Sequence, residues 1–564
     1  MTTLTGIPAS SGAAVGPFFL LNTNIPAANG QPSDKGFEAE GHALNLAIKR
    51  VGADLEARAA RTTGELQEIL LATAEIATDP AIAEEAAGFI ASGHTASYAM
   101  VKATEVFQEL LAASGGYLAE RVSDVANIRD RVLCEIAGIA YPEIPHFDVP
   151  TVLIAQDLSP ADTADLETDK ILAIVTAGGG PTSHTAIIAR SNGIAAIVAC
   201  PGVVDAASVN AGATVAVDAT TGQITFNPDL ALKAEIASKI EKIKARKSRV
   251  ITRSADGYVT TDGKVIPIYA NIGRVEDTVA AVTAGADGVG LLRTELLYLD
   301  RNDAPTLQEQ TAIYTELFTP FNGKKVVIRT LDAGADKPMA FINFAHEPNP
   351  ALGVRGYRTI DGHEDLLRTQ LQAIAAAAKA TTAEVWVMAP MVTLPGEAAA
   401  FVSMAREYGL DKAGVMIEVP AAIFHADEIT KVCDFVSIGT NDLGQYLHAA
   451  DRESAPLAGF NDPWQPALLR AVHLVAQAGI KNNCPVGVCG EAASDAALGS
   501  VLVGLGVSSL SCSVATLTDV AQAITAHSLQ QLVLAGNVAI AANTAQDAKN
   551  SARAQLSELS NLGL

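Results

Sequence analysis

Beyond residue 250 the chain settles into a rhythm of eight short apolar runs, each followed by glycine or polar residues and then by a helical pattern. The runs are Val265 to Ala270, Gly288 to Leu292, Lys325 to Ile328, Val385 to Met388, Gly414 to Ile417, Phe435 to Ile438, Val486 to Val488 and Val507 to Leu510. Short continuous apolar runs bounded in this way read as strands buried on both faces, and the stretches between them as helices. Eight such β/α units are the number that closes a parallel barrel, so this half of the chain predicts a (β/α)8 TIM barrel.

The residues that follow the runs are polar in a patterned way. Arg293 and Glu295 follow the second, Arg329 and Asp332 the third, Glu418 the fifth, Thr440, Asn441 and Asp442 the sixth, and Cys489 and Glu491 the seventh. In a barrel these positions gather at the C-terminal mouth, where such folds carry chemistry. Scattered loop charges would explain one or two of these strand ends, not so many. Glu418 and Asp442 are hard oxygen donors on neighbouring strands, a set suited to Mg²⁺ shared with substrate oxygens. The plainer reading of that pair is two loop carboxylates accepting backbone hydrogen bonds. Arg293 and Arg329, with Arg452 downstream of Asp442, offer guanidinium forks that match phosphate and carboxylate. Singly, each arginine reads as a surface ion pair; beside a metal site they form an anion cradle. Cys489 places a thiol with a donatable hydrogen on the same face. Cys134, Cys200, Cys433 and Cys512 read as small core hydrophobes, and Cys484 is left unassigned.

The first part of the chain has a different texture. Phe37 to Arg58, Gly64 to Thr78, Ala81 to Ala91, Ala96 to Ser114 and Ala119 to Ile136 read as successive helices of a bundle. Leu4 to Leu21 and Val149 to Pro228 read as short strands, turns and a few helices, with Thr214 to Val217 and Gln223 to Phe226 forming a hairpin. Ile171 to Val175 reads as a buried strand, Gly178 to Pro181 breaks it, and a helix restarts around Thr185. His184 thereby sits at a helix N-terminus, where free N–H groups can receive phosphate oxygens and the partial positive charge disfavours the imidazolium. The segment has neither a Walker loop nor a GxGxxG fingerprint, so its glycines do not announce a bound nucleotide. A lone histidine in such a place would ordinarily read as a satisfied turn residue.

The expected organisation is an α/β multidomain protein. An α/β domain over 1–22 and 145–228 carries an inserted helical bundle over 23–144, and a linker helix over 229–250 leads to a barrel over 251–540 and a helical tail over 541–564. Two sequential N-terminal domains would fit the pattern as well as an insertion. With 62 Asp and Glu against 39 Lys and Arg, the formal net charge of -23 disfavours nucleic acid and anionic membranes as partners. Met1 to Ser10 lacks a basic stretch leading into an apolar core, and no run of eighteen apolar residues occurs. The six cysteines show no CxxC spacing, which argues against a zinc site or a disulfide framework. A reducing cytoplasmic compartment is expected, without membrane insertion.

The string Gly179-Gly180-Pro181-Thr182-Ser183-His184-Thr185-Ala186 resembles the phosphohistidine signature of the phosphoenolpyruvate-utilising family. Gly290-Leu291-Leu292-Arg293-Thr294-Glu295, Ile328-Arg329-Thr330-Leu331-Asp332, Asn349-Pro350-Ala351-Leu352-Gly353-Val354-Arg355, Met416-Ile417-Glu418-Val419-Pro420, Ser437-Ile438-Gly439-Thr440-Asn441-Asp442-Leu443 and Val488-Cys489-Gly490-Glu491 are similar, in order, to the enzyme I group of that family in bacterial sugar phosphotransferase systems. The resemblance covers most of residues 150 to 500. It implies phosphoryl transfer from phosphoenolpyruvate (PEP) to His184, and then to a small histidine phosphocarrier protein (HPr) held by the helical bundle. It further implies Mg²⁺ on Glu418 and Asp442, charge neutralisation by Arg293 and Arg329, and substrate orientation by Asn441 and Arg452. Cys489 would protonate the enolate, and the barrel would form a homodimer. Because His184 would have to meet both the mouth and the carrier, its domain is expected to swing about the Leu230 to Lys247 segment.

Three departures stand out: Gly444 where many relatives carry threonine, Val354 where an aromatic is frequent, and a weakly matching helical segment. They bear on the carrier rather than on the substrate chemistry. Two alternatives share the motifs. A pyruvate phosphate dikinase or PEP synthase would need an ATP-binding module ahead of the histidine, whereas residues 1 to 150 offer strand fragments and helices. A catalytically degenerate regulatory homologue would show attrition of the site, and every alignable position is filled.

Overall fold

The computed structural model describes residues 1–21, 25–30, 32–61, 65–114, 122–163, 166–179, 184–247, 251–299, 301–334, 339, 341–342, 347–452, 457 and 459–564, with the backbone alone at 65–66, 68–69, 112–114, 123, 160–161, 184, 187, 191, 247 and 360. The chain divides into two compact units, Met1–Glu241 and Lys242–Leu564.

In the first unit an eight-stranded mixed sheet is ordered β1-β8-β7-β3-β4-β5-β6-β2. Its strands are β1 (Thr2–Thr5), β2 (Ile7–Ser10), β3 (Ala13–Leu21), β4 (Thr151–Ala155), β5 (Ile171–Thr176), β6 (Ala195–Val198), β7 (Thr214–Asp218) and β8 (Gln223–Phe226). β3 to β6 run parallel; β7 and β8 form the antiparallel hairpin, with Val217 opposite Ile224. β4, β5 and β6 are nearly all buried along their length, as expected where helices cover a sheet. The chain leaves the sheet after β3, forms the helices Phe37–Ala59, Glu65–Ala77, Pro80–Ala91, Ala96–Ser114 and Val122–Ala137, and rejoins it at β4. These helices have a core of their own, around Leu44, Leu55, Leu70, Met100, Ile128 and Val132.

The second unit is a closed barrel of eight parallel strands. They are β12 (Ile268–Ile272), β13 (Gly288–Leu292), β14 (Lys325–Arg329), β15 (Glu384–Ala389), β16 (Ala413–Ile417), β17 (Phe435–Ile438), β18 (Val486–Val488) and β19 (Ser509–Ser513). Pairing of β12 with β19 closes the ring, with Ile268 opposite Leu510. Outward side chains such as Ile268, Val326, Val415 and Val436 pack under the surrounding helices in one continuous core. A small sheet of β9 (Arg253–Ser254), β10 (Gly257–Val259) and β11 (Val265–Ile266) precedes the barrel.

Two strands differ from the sequence reading. Val265 to Ala270 is not one strand: the chain breaks at Pro267, so Val265–Ile266 belongs to the small sheet and the barrel strand begins at Ile268. The last strand lies at Ser509–Ser513 rather than at Val507 to Leu510, because its alternate polar residues hide it from an apolar scan. Several outer helices carry their own start signals. Thr306 and Glu309 close a capping box on Leu307–Phe318, as do Ser528 and Gln531 on Leu529–Ala541. Among the described residues no helix is long and apolar enough to cross a membrane. All six cysteines are free and buried.

Candidate active site at the barrel mouth

Several of the parallel strands end by delivering polar side chains to one face. Arg329 closes β14 and is nearly buried. Its Nη2 donates to Glu295 Oε1 at 2.7 Å, and its Nη1 lies 3.4 Å from Asp332 Oδ2. Burial works against its charge, but the carboxylates of Glu295, Asp332 and Glu418 more than offset this and raise its pKa. Asp332 is fully buried and also accepts from Arg355 Nη2 at 3.1 Å. Arg355 reaches on through Nη1 to Asp442 Oδ1 and to the Tyr446 hydroxyl, each at 3.2 Å. Arg452, a third exposed, brings its Nη1 to 3.7 Å from Asp442 Oδ2. A continuous charged chain thus runs from Glu295 to Arg452.

Glu418 follows β16 and is 1% exposed. Its Oε1 accepts the Met391 N–H at 2.7 Å. Met391 adopts φ 58, a left-handed conformation that costs a β-carbon-bearing residue about 1–2 kcal/mol. The bond to Glu418 is what that conformation supplies. Room for the carboxylate comes from Gly439, where a β-carbon would stand 2.6 Å from Glu418 Oε2. Burial first, then the negative charges of Asp442 and Asp332, push the Glu418 pKa well above the usual carboxylate range, with Arg329 and the Met391 N–H opposing.

The remaining residues lie around this core. Asn441 Oδ1 accepts the Glu491 N–H at 2.9 Å, tying the loop after β17 to the loop after β18. Cys489 is 2% exposed and belongs to a buried cluster with Leu291, Met388 and Met416. Burial raises its pKa to about 11, while the Ser437 hydroxyl and the charges of Arg329 and Arg293 pull the other way. The thiol therefore stays protonated at neutral pH and can act as a proton donor. Arg293 stands exposed beyond β13; it influences the thiol electrostatically but forms no ion pair with the chain Glu295 to Arg452 among the described contacts.

Two buried donors at the mouth, Arg329 Nε and Thr440 Oγ1, have no hydrogen-bond partner among the described residues. Buried polar atoms are nearly always satisfied, so donors left open in a charged cavity mark the place of a bound acceptor. Glu418 and Asp442 fit a hard divalent cation: both are buried carboxylates, and their mutual repulsion is what a cation would relieve. Among the described residues no group of three His, Cys, Asp or Glu side chains gathers to hold a metal, so an ion here would take its other ligands from substrate and water.

Arg355 and Gly439 were not singled out as site residues from the sequence, although both lie inside the quoted motifs. The length of the loop between β14 and β15 hides the return of Arg355 to the mouth. His184 starts the helix His184–Ser191 after β5, as the sequence predicts. Gly179 before it has φ 76, a turn geometry suited to glycine. Thr185 is buried, its hydroxyl bonded toward Leu158 O. Residues 180–183 and the His184 side chain lie outside the described residues.

Comparison with known proteins agrees over the whole length. Residues 247–529 match the PEP-utilising enzyme, PEP-binding domain, residues 5–121 the PEP-utilising enzyme, N-terminal family, and residues 147–222 the PEP-utilising enzyme, mobile domain. A phosphoenolpyruvate-protein phosphotransferase of Streptomyces coelicolor is 44% identical over 99% of this chain and 99% of its own length. Proteins of the same name from Haloferax volcanii and Geobacillus stearothermophilus are 38% and 35% identical, over 83% and 91% of this chain and equal shares of their own. The chain that builds this barrel mouth belongs to the family of PEP-utilising enzymes.

Proposed function

We propose that this protein is a phosphoenolpyruvate-protein phosphotransferase that moves the phosphoryl group of PEP to His184 and from there to a histidine of a small phosphocarrier protein of the HPr type, the first step of sugar uptake by a phosphotransferase system. The observation that carries the reading is the cluster of buried arginines and carboxylates at the mouth, with the donor atoms Arg329 Nε and Thr440 Oγ1 left open. Such a cluster suits a small anion carrying both phosphate and carboxylate. The full-length similarity to proteins bearing that name supports it.

In this scheme His184 attacks phosphorus in line, and the bond from phosphorus to the enolate oxygen breaks. Arg293 and Arg329 neutralise the charge that spreads over the phosphoryl oxygens, while Asn441 and Arg452 orient the substrate. The Cys489 thiol gives its proton to the methylene carbon of the enolate, yielding pyruvate. Glu418 and Asp442 are the residues that would hold Mg²⁺, which supplies Lewis-acid neutralisation of phosphate and carboxylate oxygens when bound. Asp332 and Arg355 keep Arg329 and Asp442 in place.

The domain assignment is part of the proposal. Residues 1–22 and 145–228 carry the phosphohistidine, 23–144 bind the carrier, 229–250 link the units, 251–540 bind PEP and dimerise, and 541–564 form a tail. The protein works in the cytoplasm. His184 and the mouth belong to separate units, so the unit carrying His184 swings about the helix Leu230–Lys247. A crosslink locking the units in either pose leaves one half-reaction and abolishes the other; full turnover in the locked protein would refute the swing.

The function itself is tested by mixing the protein with PEP and Mg²⁺ in the absence of any acceptor. One equivalent of pyruvate per chain is expected, abolished by chelation and by Glu418→Gln. No pyruvate from the wild-type protein would refute the reading, and labelling from ATP in place of PEP would point to a dikinase.

A further inference from the structure

The lumen of the barrel is filled unevenly. On one side, β14, β15 and β16 contribute Val327, Trp386, Met388 and Met416, a packed apolar wall of the kind that usually fills such barrels. On β17, β18, β19 and β12 the inward positions are mixed: Tyr269 and Phe435 add two aromatic rings near the floor, and the rest are small or polar, Ser437, Gly487, Ser509, Ser511 and Asn271. Asn271 Oδ1 accepts from Ser511 Oγ at 2.6 Å, and its Nδ2 donates to Cys489 O at 3.0 Å.

Between the two walls lies a cavity of about 30 Å³ whose lining includes Ser437, Ser509, Ser511 and Lys325. That is room for roughly one or two waters, and the hydroxyls and ammonium supply the two to four polar partners that a buried water requires. At the upper end the Ser437 hydroxyl acts on the Cys489 thiol, lowering its pKa against burial, and the thiol itself donates to Ile438 O at 3.6 Å. At the floor the Lys325 ammonium stands 3.5 Å from the centroid of the Trp386 ring, partly open to solvent. Polar groups therefore extend from the buried thiol to the opposite end of the barrel.

We propose that the polar side of the lumen is a proton path that restores the Cys489 thiol from the barrel floor, through Ser437, one or two cavity waters and Lys325. The inference rests on the reading of Cys489 as the acid that protonates the enolate. Once the thiol has given its proton to the methylene carbon, the thiolate takes the Ser437 hydroxyl proton. The Ser437 oxygen takes one from a cavity water, and that water takes one from the Lys325 ammonium. Solvent at the floor returns a proton to the amine, so one proton enters the barrel for each pyruvate formed. Cys489 is 2% exposed and lies beneath the charged mouth, where bound pyruvate would cover it. A route from below lets the acid recover before the product leaves. Burial pulls the Lys325 pKa down to about 8, with Glu384 opposing and Lys412 adding to the fall. The π face of Trp386 favours the charged form and holds the amine in place.

Gly487 provides a probe that removes no functional group. A β-carbon there would sit 3.0 Å from Ser509 Oγ and 3.9 Å from Ser437 Oγ, inside the cavity. The test is the rate at which the Cys489 S–H infrared band converts to S–D when the full-length protein, saturated with pyruvate, is mixed into D2O. Subtraction of the Cys489→Ala spectrum isolates the band. Gly487→Ala and Lys325→Met are each expected to slow the exchange at least about tenfold, and Ser437→Ala likewise. Met388→Leu, which changes the apolar wall at nearly constant volume, is expected to leave it within about twofold. A destabilised variant would exchange faster, so loss of fold cannot imitate the expected result. Exchange within twofold of wild type in both Gly487→Ala and Lys325→Met would overturn the path. Phosphorylation of His184 by PEP is followed in parallel. Failure of labelling in the wild-type protein sinks the proposed reaction, whereas normal labelling with unslowed exchange sinks the path alone.

Discussion

Strand β14 carries a basic residue at each end, Arg329 at the mouth and Lys325 at the floor, and their surroundings are opposite. Arg329 is ringed by Glu295, Asp332 and Glu418, which hold its charge firmly despite burial. Lys325 faces Trp386 and Tyr269, and burial weakens its charge. The first environment fixes a permanent cation where an anion can bind. The second leaves an amine able to exchange a proton. One strand in one barrel thus supports two kinds of site, because what decides the behaviour of a buried base is the number of carboxylates within reach.

The hardest way to break the contrast is to remove charge at the mouth. Arg329→Met leaves Glu295 and Asp332 buried beside an apolar side chain. It should cost about 3–5 kcal/mol in a urea titration and lower phosphoryl transfer roughly 100-fold or more. Lys325→Met should change stability by only about 1 kcal/mol in the same titration, since the packing loses cation–π contacts with Trp386 and Tyr269 and no close ion pair among the described residues. Equal losses in the two variants would erase the distinction between mouth and floor.

A finer probe keeps every charge and moves one. Gly439→Ala drives a β-carbon toward Glu418 Oε2. Its Mg²⁺ requirement is expected to rise about 10- to 100-fold while the unfolding midpoint shifts little, a separation read by titrating metal against pyruvate formation.

The smallest effect lies outside the barrel mouth and has the opposite sign to Glu418. Glu309 is pulled down to about 2 by the Thr306 N–H first, with Arg301 and the Thr306 hydroxyl assisting. Because its folded pKa is depressed, its contribution to stability is complete above the ordinary value of 4.5 and is lost as pH falls toward 2. The wild-type protein should therefore lose more stability than Glu309→Gln between pH 5 and about 3, measured as the shift in denaturation midpoint. Parallel curves would show that the capping box carries no such linkage.

Much of the architecture was legible because parallel strands covered on both faces are apolar runs, as at Gly288–Leu292 and Phe435–Ile438. The reading slipped where another requirement overrode that pattern. Pro267 interrupts what looks like one strand, since it has no N–H to give to a ladder. Ser509, Ser511 and Ser513 break the apolar pattern of β19 and shift its reading to Val507 to Leu510, and two of them, Ser509 and Ser511, line the lumen. At the site, Glu418, Asp442, Arg329, Asn441 and Cys489 were marked by their places after strands. Arg355 was not, because its importance comes from bridging Asp332 and Asp442, residues distant in the chain. Arg293 follows its strand as expected and stands exposed, its charge still acting on the buried Cys489 thiol.

In the proposed reaction a buried anion cradle in the barrel serves a histidine in the other unit. The most direct test is transfer of labelled phosphate from PEP to the purified protein with Mg²⁺, beside His184→Ala. Acid-labile label that depends on the metal and disappears in the variant is the predicted result. Label of equal amount in His184→Ala, or none in the wild-type protein, would contradict the account.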